Sequence, residues 1–253
     1  MSVTTQIIHF DIRTPKQEEE FWKSFNHIPW QGDQPCKMVG HPSDRKEFWG
    51  QCAIQHRQAT NPHLLDWLKQ HIHEGPGKVA IELGCGFGPA IPYLLEKGWT
   101  VIAIDYAPKA IDSLTERYRA AIESRQLTCK VADISSDPLD LPPADLVIAT
   151  DVFPYTDPKK FPMTWKKVHQ LIQPEGRFIG SFFTDFKLPS SKPVKKSLSA
   201  MGSWFLKNDR IVPTLLRQTG YKIERCEHLP SPGSQFESIV VQFLAKKPLE
   251  IAQ

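Results

Sequence analysis

Residues 79–88 of the 253-residue chain read VAIELGCGFG, an apolar run followed by three glycines at alternate positions. Continuous apolar residues are typical of a strand that is buried on both faces of a sheet. Gly84, Gly86 and Gly88 lack a Cβ atom, so the backbone after this strand can turn sharply and lie close to a ligand. The stretch therefore predicts the first strand and the ligand-binding loop of an open α/β sheet.

The alternation of strands and helices continues toward the C-terminus. Strands are predicted at residues 79–81, 100–104, 127–132, 146–149, 177–183, 221–228 and 236–245. Helical spacing of apolar residues predicts helices between most of them. The last two strands have no helix between them, so they should pair antiparallel. We expect an α/β fold with a Rossmann-like, doubly wound, seven-stranded sheet and an antiparallel last strand.

Three of the predicted helices have boundaries that the sequence specifies. One begins at Pro108 and carries an apolar stripe as far as Ile122. Another places Phe161, Trp165, Val168 and Ile172 on one face and is ended by residues 174–176, which read PEG. A third spans residues 208–219 and ends before Gly220, which can adopt the left-handed conformation common after helices.

Residues 1–75 and 184–206 lie outside this alternation. The first region contains two predicted helices, at residues 16–25 and 45–72, and we interpret it as a helical N-terminal cap. Residues 76–253 then form the core domain, and residues 184–206 are an insertion in it. Both regions should emerge near the ligand-binding side of the sheet, so both are candidate lids over a substrate.

Two aspartates end the next two predicted strands. Asp105 and Asp133 are placed to accept hydrogen bonds from ribose hydroxyls and from an exocyclic adenine amine, respectively. The loop spacing Gly-x-Gly-x-Gly differs from the Gly-x-Gly-x-x-Gly of dinucleotide-binding loops, and no Gly-Lys-Ser/Thr follows it. These features favour a nucleoside ligand that carries no phosphate.

The glycine loop and residues 99–111 together resemble the first two motifs of class I S-adenosylmethionine-dependent methyltransferases. The resemblance implies S-adenosyl-L-methionine as methyl donor and S-adenosyl-L-homocysteine as product. It places the glycine loop at the methionine part of the donor, Asp105 at the ribose and Asp133 at the adenine. The residues that it assigns to cofactor binding are Glu82, Gly84, Cys85, Gly86, Gly88, Asp105, Tyr106, Asp133, Ile134, Asp151 and Val152.

The methyl acceptor is harder to predict, because the family motifs specify the donor site. Nucleotide-amine enzymes of the family carry Asn-Pro-Pro-Tyr after strand four, whereas residues 151–155 read DVFPY. The missing carboxamide disfavours amino-base methylation. We therefore expect a small-molecule acceptor, with Asp151 and Tyr155 as candidate catalytic residues.

A second resemblance concerns the N-terminal region. Residues 21–22, which read FW, and residues 29–32, which read PWQG, resemble the cap of thiopurine-type small-molecule methyltransferases over a few positions. Trp30, His41 and Trp49 are further candidates for a substrate pocket. Two other functions stay open here: an NAD-dependent oxidoreductase with an unusual loop, and a non-catalytic binding protein with the methyltransferase fold.

Composition restricts the partners. The net charge of +3 is too small to indicate a nucleic-acid surface, and no apolar run approaches the roughly 20 residues of a membrane span. The five cysteines are widely spaced without a Cys-x-x-Cys pair, so no metal site is expected. The N-terminal residues lack the pattern of a secretion signal, which predicts a cytoplasmic protein. The sequence does not specify an oligomeric state.

Overall fold

The computed structural model describes residues 45–55, 62–157, 159–183, 206, 210–229 and 240–249. Its strands are β1 Val79–Leu83, β2 Thr100–Asp105, β3 Leu127–Val131, β4 Ala144–Ala149, β5 Ile172–Phe183, β6 Lys222–His228 and β7 Val240–Lys246. They form one sheet in the order β3-β2-β1-β4-β5-β7-β6. Strands β1 to β5 pair in parallel, whereas β7 is antiparallel to β5 and β6. The predicted seven-stranded sheet with an antiparallel last strand is confirmed.

Helices cover both faces of this sheet. The described helices are α1 Arg45–Gln55, α2 Pro62–His71, α3 Ile91–Glu96, α4 Pro108–Arg117, α5 Arg119–Glu123, α6 Phe161–Leu171 and α7 Ile211–Gln218. Neighbouring strand residues belong to opposite layers: Ala80 packs in the cluster of Leu64 from α2, and Ile81 in the cluster of Trp165 from α6. Burial on both faces explains the continuous apolar runs of the central strands.

Aromatic rings fill the face of the sheet that α6 and α7 cover. Phe153, just after β4, stacks on Phe182 with ring centroids 5.2 Å apart and meets Phe161 edge-on at 5.6 Å. The buried indole Nε1 of Trp165 donates a hydrogen bond to Thr219 Oγ1 over 2.9 Å. This packing anchors the segment that follows β4 at the carboxyl end of the sheet.

Two predicted helices differ from those that the structure describes. Within residues 45–72 it describes two helices, and the second begins at Pro62. Proline has no N–H and its ring clashes with the preceding turn, so it suits the first turn of a helix and not the interior. The helix expected from Pro108 to Ile122 breaks at Tyr118, whose φ of −112° and ψ of 33° are not helical.

The start predicted for the fifth strand is also wrong. β5 begins at Ile172 and includes the segment expected to end the preceding helix. Within that segment, the Glu175 N–H donates to Lys247 O over 2.7 Å, and the Lys247 N–H donates to Gly176 O over 2.9 Å. These backbone bonds to the residue after β7 hold the segment in the sheet, and such long-range pairing leaves no local sequence pattern.

Several predictions concern residues outside the described ranges. They include the helix at residues 16–25, the likeness to thiopurine-type caps, the side chains of Trp30 and His41, and most of the insertion at residues 184–206. The division into a cap of residues 1–75 and a core stays a prediction. Leu206 is described: it is buried, and its N–H donates to Phe183 O over 2.8 Å. No helix of the described ranges is long and apolar enough to cross a membrane.

Candidate functional site

A cavity of about 490 Å³ lies at the carboxyl ends of β1 to β4. Ligands of open α/β sheets bind at this edge, where the strand order reverses, and the volume is in the range of small-molecule sites. The wall consists of residues 82–87, 105–106, 132–136, 150–152 and 155–157, with Arg45, Trp49, Cys52, Ala53, Pro89 and Lys160. Every residue that the family resemblance assigned to cofactor binding is part of this wall except Gly88.

The glycine loop has the left-handed backbone that glycine permits. Gly84 and Gly86 have φ values of 56° and 50°. A Cβ atom on Gly84 would lie 2.6 Å from Cγ2 of Val152, so the absent side chain lets the segment after β4 approach the loop. A Cβ atom on Gly88 would lie 2.6 Å from Cδ1 of Ile91. Gly88 therefore serves the packing of α3 and does not face the cavity.

Asp105 connects the glycine loop to the end of β2. Its Oδ2 accepts a hydrogen bond from the Gly86 N–H over 2.9 Å, and its Oδ1 accepts one from the Ala107 N–H over 2.8 Å. Burial raises the pKa of this carboxyl group, while the backbone hydrogen bonds lower it. Because carboxylate oxygens have further lone pairs, Asp105 can accept from a ligand as well.

Asp133 lies after β3, on the part of the cavity wall next to Asp105. Its Oδ1 accepts from the Ser135 N–H over 2.8 Å, and its own N–H donates to Asp137 Oδ2 over 2.9 Å. The adjacent Ile134 is buried and lines the cavity. A carboxylate beside an apolar side chain at a strand end suits a base with an exocyclic amine.

Glu82 is a buried acid on the cavity floor, only 2% exposed. Its Oε1 accepts from the Ala90 N–H over 3.4 Å, and its Oε2 has no partner among the described residues. Burial raises the pKa of Glu82 to about 8, against the lowering effects of the Ala90 N–H and the Arg117 charge. An acid without a partner at this place can meet a polar group of a ligand.

Asp151 lies at the cavity with a backbone φ of 57°, which residues other than glycine rarely adopt. Its N–H donates to Ser181 Oγ over 2.7 Å, and Ser181 Oγ donates to Asp151 Oδ1 over 3.1 Å. The residue faces the open cavity, but protein atoms surround its carboxyl group, so burial raises its pKa. Burial and the Asp151 charge also raise the pKa of Tyr155.

Helix α1 contributes Arg45, Trp49, Cys52 and Ala53 to the cavity wall. Arg45 Nη2 donates to Tyr155 O over 2.8 Å, and the Trp49 and Tyr155 rings meet edge-on with centroids 4.6 Å apart. Ala53 packs against Ala107 at the start of α4. Of these α1 residues the sequence singled out Trp49 alone, because nothing local to Arg45 or Ala53 indicates a site.

No group of three or more metal-ligating side chains occurs among the residues that the structure describes. The carboxylates of Asp105 and Asp133 accept hydrogen bonds from backbone amides, and that of Asp151 accepts one from Ser181. The site thus combines a glycine loop, two strand-end aspartates, a buried glutamate and a serine-held aspartate. Such an arrangement can bind a nucleoside and present a second molecule to it.

Comparison with known families agrees with this geometry. A family model described as a methyltransferase domain matches residues 81–178. An uncharacterized methyltransferase from Synechocystis is 30% identical over 173 residues, which cover 65% of this chain and 76% of that protein.

Two solved structures share the fold at low sequence identity. The complex of the Haloferax volcanii Trm112 methyltransferase activator with a methyltransferase has a TM-score of 0.63 and 16% identity, over 83% of this chain and 100% of that chain. Magnesium protoporphyrin IX methyltransferase from Synechocystis, solved with bound S-adenosylhomocysteine, has a TM-score of 0.55 and 15% identity, over 91% and 94%.

The buried Glu82 leads to a prediction about stability. Because its pKa is about 8 in the folded protein and near 4.5 in the unfolded chain, the free energy of unfolding should fall as pH rises from 4.5 to 8. Glu82→Gln removes this loss, so its free energy of unfolding above pH 8 should exceed that of the wild type by up to roughly 5 kcal/mol. Urea unfolding of ligand-free protein at pH 5 and pH 9 measures the difference. The exposed Glu116→Gln is the control, and an equal pH dependence of wild type and Glu82→Gln would contradict the account.

Proposed function

The chain belongs to the class I S-adenosylmethionine-dependent methyltransferases, and we propose that it methylates a small-molecule acceptor. One observation carries the proposal. A single cavity of about 490 Å³ joins the glycine loop, Asp105 and Asp133 to Asp151 and Tyr155. Donor and acceptor groups would therefore share one cavity.

The residues of the glycine loop and the two strand-end aspartates fit the methyl donor. Gly86 leaves open space where a Cβ atom would stand, and Asp105 retains lone pairs for the ribose hydroxyls. Asp133 would accept from the adenine amine, beside the apolar Ile134. The orphaned Oε2 of Glu82 supplies a further acceptor or donor on the cavity floor. S-adenosylmethionine supplies an electrophilic methyl group on a sulfonium.

Asp151 and Tyr155 form the acceptor side in this proposal. Ser181 directs one carboxylate oxygen of Asp151, so the other can accept a hydrogen bond from the N–H or O–H of an acceptor. Aligning the acceptor and removing its water favours displacement at a methyl group.

Two other candidate functions agree less well with the site. An NAD-dependent oxidoreductase disagrees with the family and with the glycine spacing. A non-catalytic binding protein of the same fold would have no use for Asp151, whose left-handed φ of 57° is held by two hydrogen bonds to Ser181. Backbone strain of this kind is typical of functional sites. We also propose that the protein is cytoplasmic and that its acceptor is not a nucleic acid.

Donor binding should depend on Asp105. We expect S-adenosylmethionine to raise the melting temperature of the wild type, and Asp105→Ala to weaken donor affinity by at least about tenfold because the ribose loses its acceptor. Calorimetric titration well below both melting temperatures separates affinity from stability. Asp112→Ala, an exposed aspartate on α4, should bind like the wild type. Wild-type affinity in Asp105→Ala would refute the assignment of this residue.

Acceptor chemistry should depend on Asp151. With a tritium-labelled methyl group on the donor and an extract of the organism that encodes the protein, label should enter the small-molecule fraction. At saturating donor, Asp151→Asn should reduce this label by about a hundredfold, because the amide cannot take a proton from the acceptor. Chromatographic separation of small molecules, protein and RNA measures the transfer.

The exposed Asp140→Asn lies outside the cavity and should transfer label like the wild type. Label confined to protein or RNA would contradict a small-molecule acceptor. If Asp151→Asn labels the small-molecule fraction at the wild-type rate, methyl transfer is supported but Asp151 takes no part in it.

A further inference from the structure

Arg45 is a cation of the cavity wall whose hydrogen bonding is incomplete. Its Nη2 donates to Tyr155 O over 2.8 Å, and its own backbone O accepts from the Tyr106 hydroxyl over 3.0 Å. These bonds fix the start of α1 against the segments after β2 and β4. The Nε of Arg45 is buried and has no acceptor among the described residues. A buried donor without an acceptor is unfavourable, so its position suggests a missing partner.

The acids of the cavity do not supply that partner. Asp105 is bonded to the Gly86 and Ala107 amides, and Asp151 to Ser181. No ion pair joins Arg45 to a carboxylate within the described ranges. The guanidinium group therefore brings a positive charge to the cavity wall, and its buried Nε still lacks an acceptor among the described residues. A planar guanidinium binds carboxylates especially well, because its N–H groups match the two carboxylate oxygens.

We infer that Arg45 binds a carboxylate group of the methyl acceptor, whose body packs against Trp49 and Tyr155. The two rings lie edge-on at 4.6 Å and form an aromatic wall beside Arg45. Such a wall favours a flat or apolar body. This inference rests on the proposed function, because it describes the acceptor side of the same cavity.

The charge of the acceptor follows from the other wall residues. Lys160 is a second cation of the cavity wall, but the four wall aspartates outnumber the two cations. A dianion such as a phosphate ester would therefore be repelled more strongly than a single carboxylate. Tyr155 connects the two ends, since its carbonyl meets Arg45 and its phenol is close enough to Asp151 for the charge to affect its pKa. The acceptor would thus place its carboxylate at Arg45 and its nucleophile at Asp151.

Matched pairs of small probes test the inference. Salicylate with salicylamide, and indole-3-acetate with indole-3-acetamide, are titrated into the full chain saturated with S-adenosylhomocysteine, and ligand-observed NMR gives the dissociation constants. We expect at least one acid to bind about tenfold more tightly than its amide. Arg45→Gln should remove this preference and leave amide affinity unchanged, whereas Arg45→Lys should retain part of it. Arg119→Gln, exposed on α5, is the control.

Each outcome decides between the alternatives. Equal binding of acids and amides, no binding of either acid, or equal weakening of both by Arg45→Gln would overturn the carboxylate assignment. Comparison of acid with amide in one variant removes any effect of lost folding. S-adenosylhomocysteine affinity is measured separately in each variant. Failure of the wild type to bind S-adenosylhomocysteine would refute the proposed function itself, and the inference with it.

Discussion

The Asp105 carboxylate accepts hydrogen bonds from the backbone N–H groups of Gly86 and Ala107, and the cavity depends on this junction. It joins the loop after β1 to the turn after β2. The glycine loop is thereby held with positive φ at Gly84 and Gly86, a conformation that would strain other residues. Because the carboxylate is buried, its hydrogen bonds compete little with bulk water, so they join the two turns strongly.

The other half of the cavity is built differently. Ser181 on β5 holds Asp151 after β4, and α1 brings Arg45 and Trp49 against Tyr155. The half proposed to bind the donor consists of backbone and strand-end carboxylates that the sheet positions, whereas the half proposed to bind the acceptor consists of side chains from separate elements. Side chains of the second kind can change without loosening the sheet. This division explains physically how one fold can serve different methyl acceptors.

The sequence predicted many of the residues that line the cavity, including Asp151, Tyr155 and Trp49, but not the contacts that hold these three in place. Strands buried on both faces, alternate glycines and strand-end acids leave local patterns, so Glu82, Asp105 and Asp133 were identified and lie on one cavity wall. Ser181 is 30 residues from Asp151 and Arg45 is 110 residues from Tyr155, and contacts of such separation leave no local signal. The early start of β5 was not predicted for the same reason, because its backbone hydrogen bonds are to the distant Lys247.

A crystal structure of the full chain with S-adenosylhomocysteine tests the central claim most directly. The account predicts the ribose hydroxyls within hydrogen-bond distance of the Asp105 carboxylate, the adenine amine at Asp133, and the sulfur facing the space between Asp151 and Tyr155. The Gly86 and Ala107 bonds to Asp105 should persist. A nucleoside bound elsewhere, or an Asp105 side chain turned away from the ribose, would contradict the account.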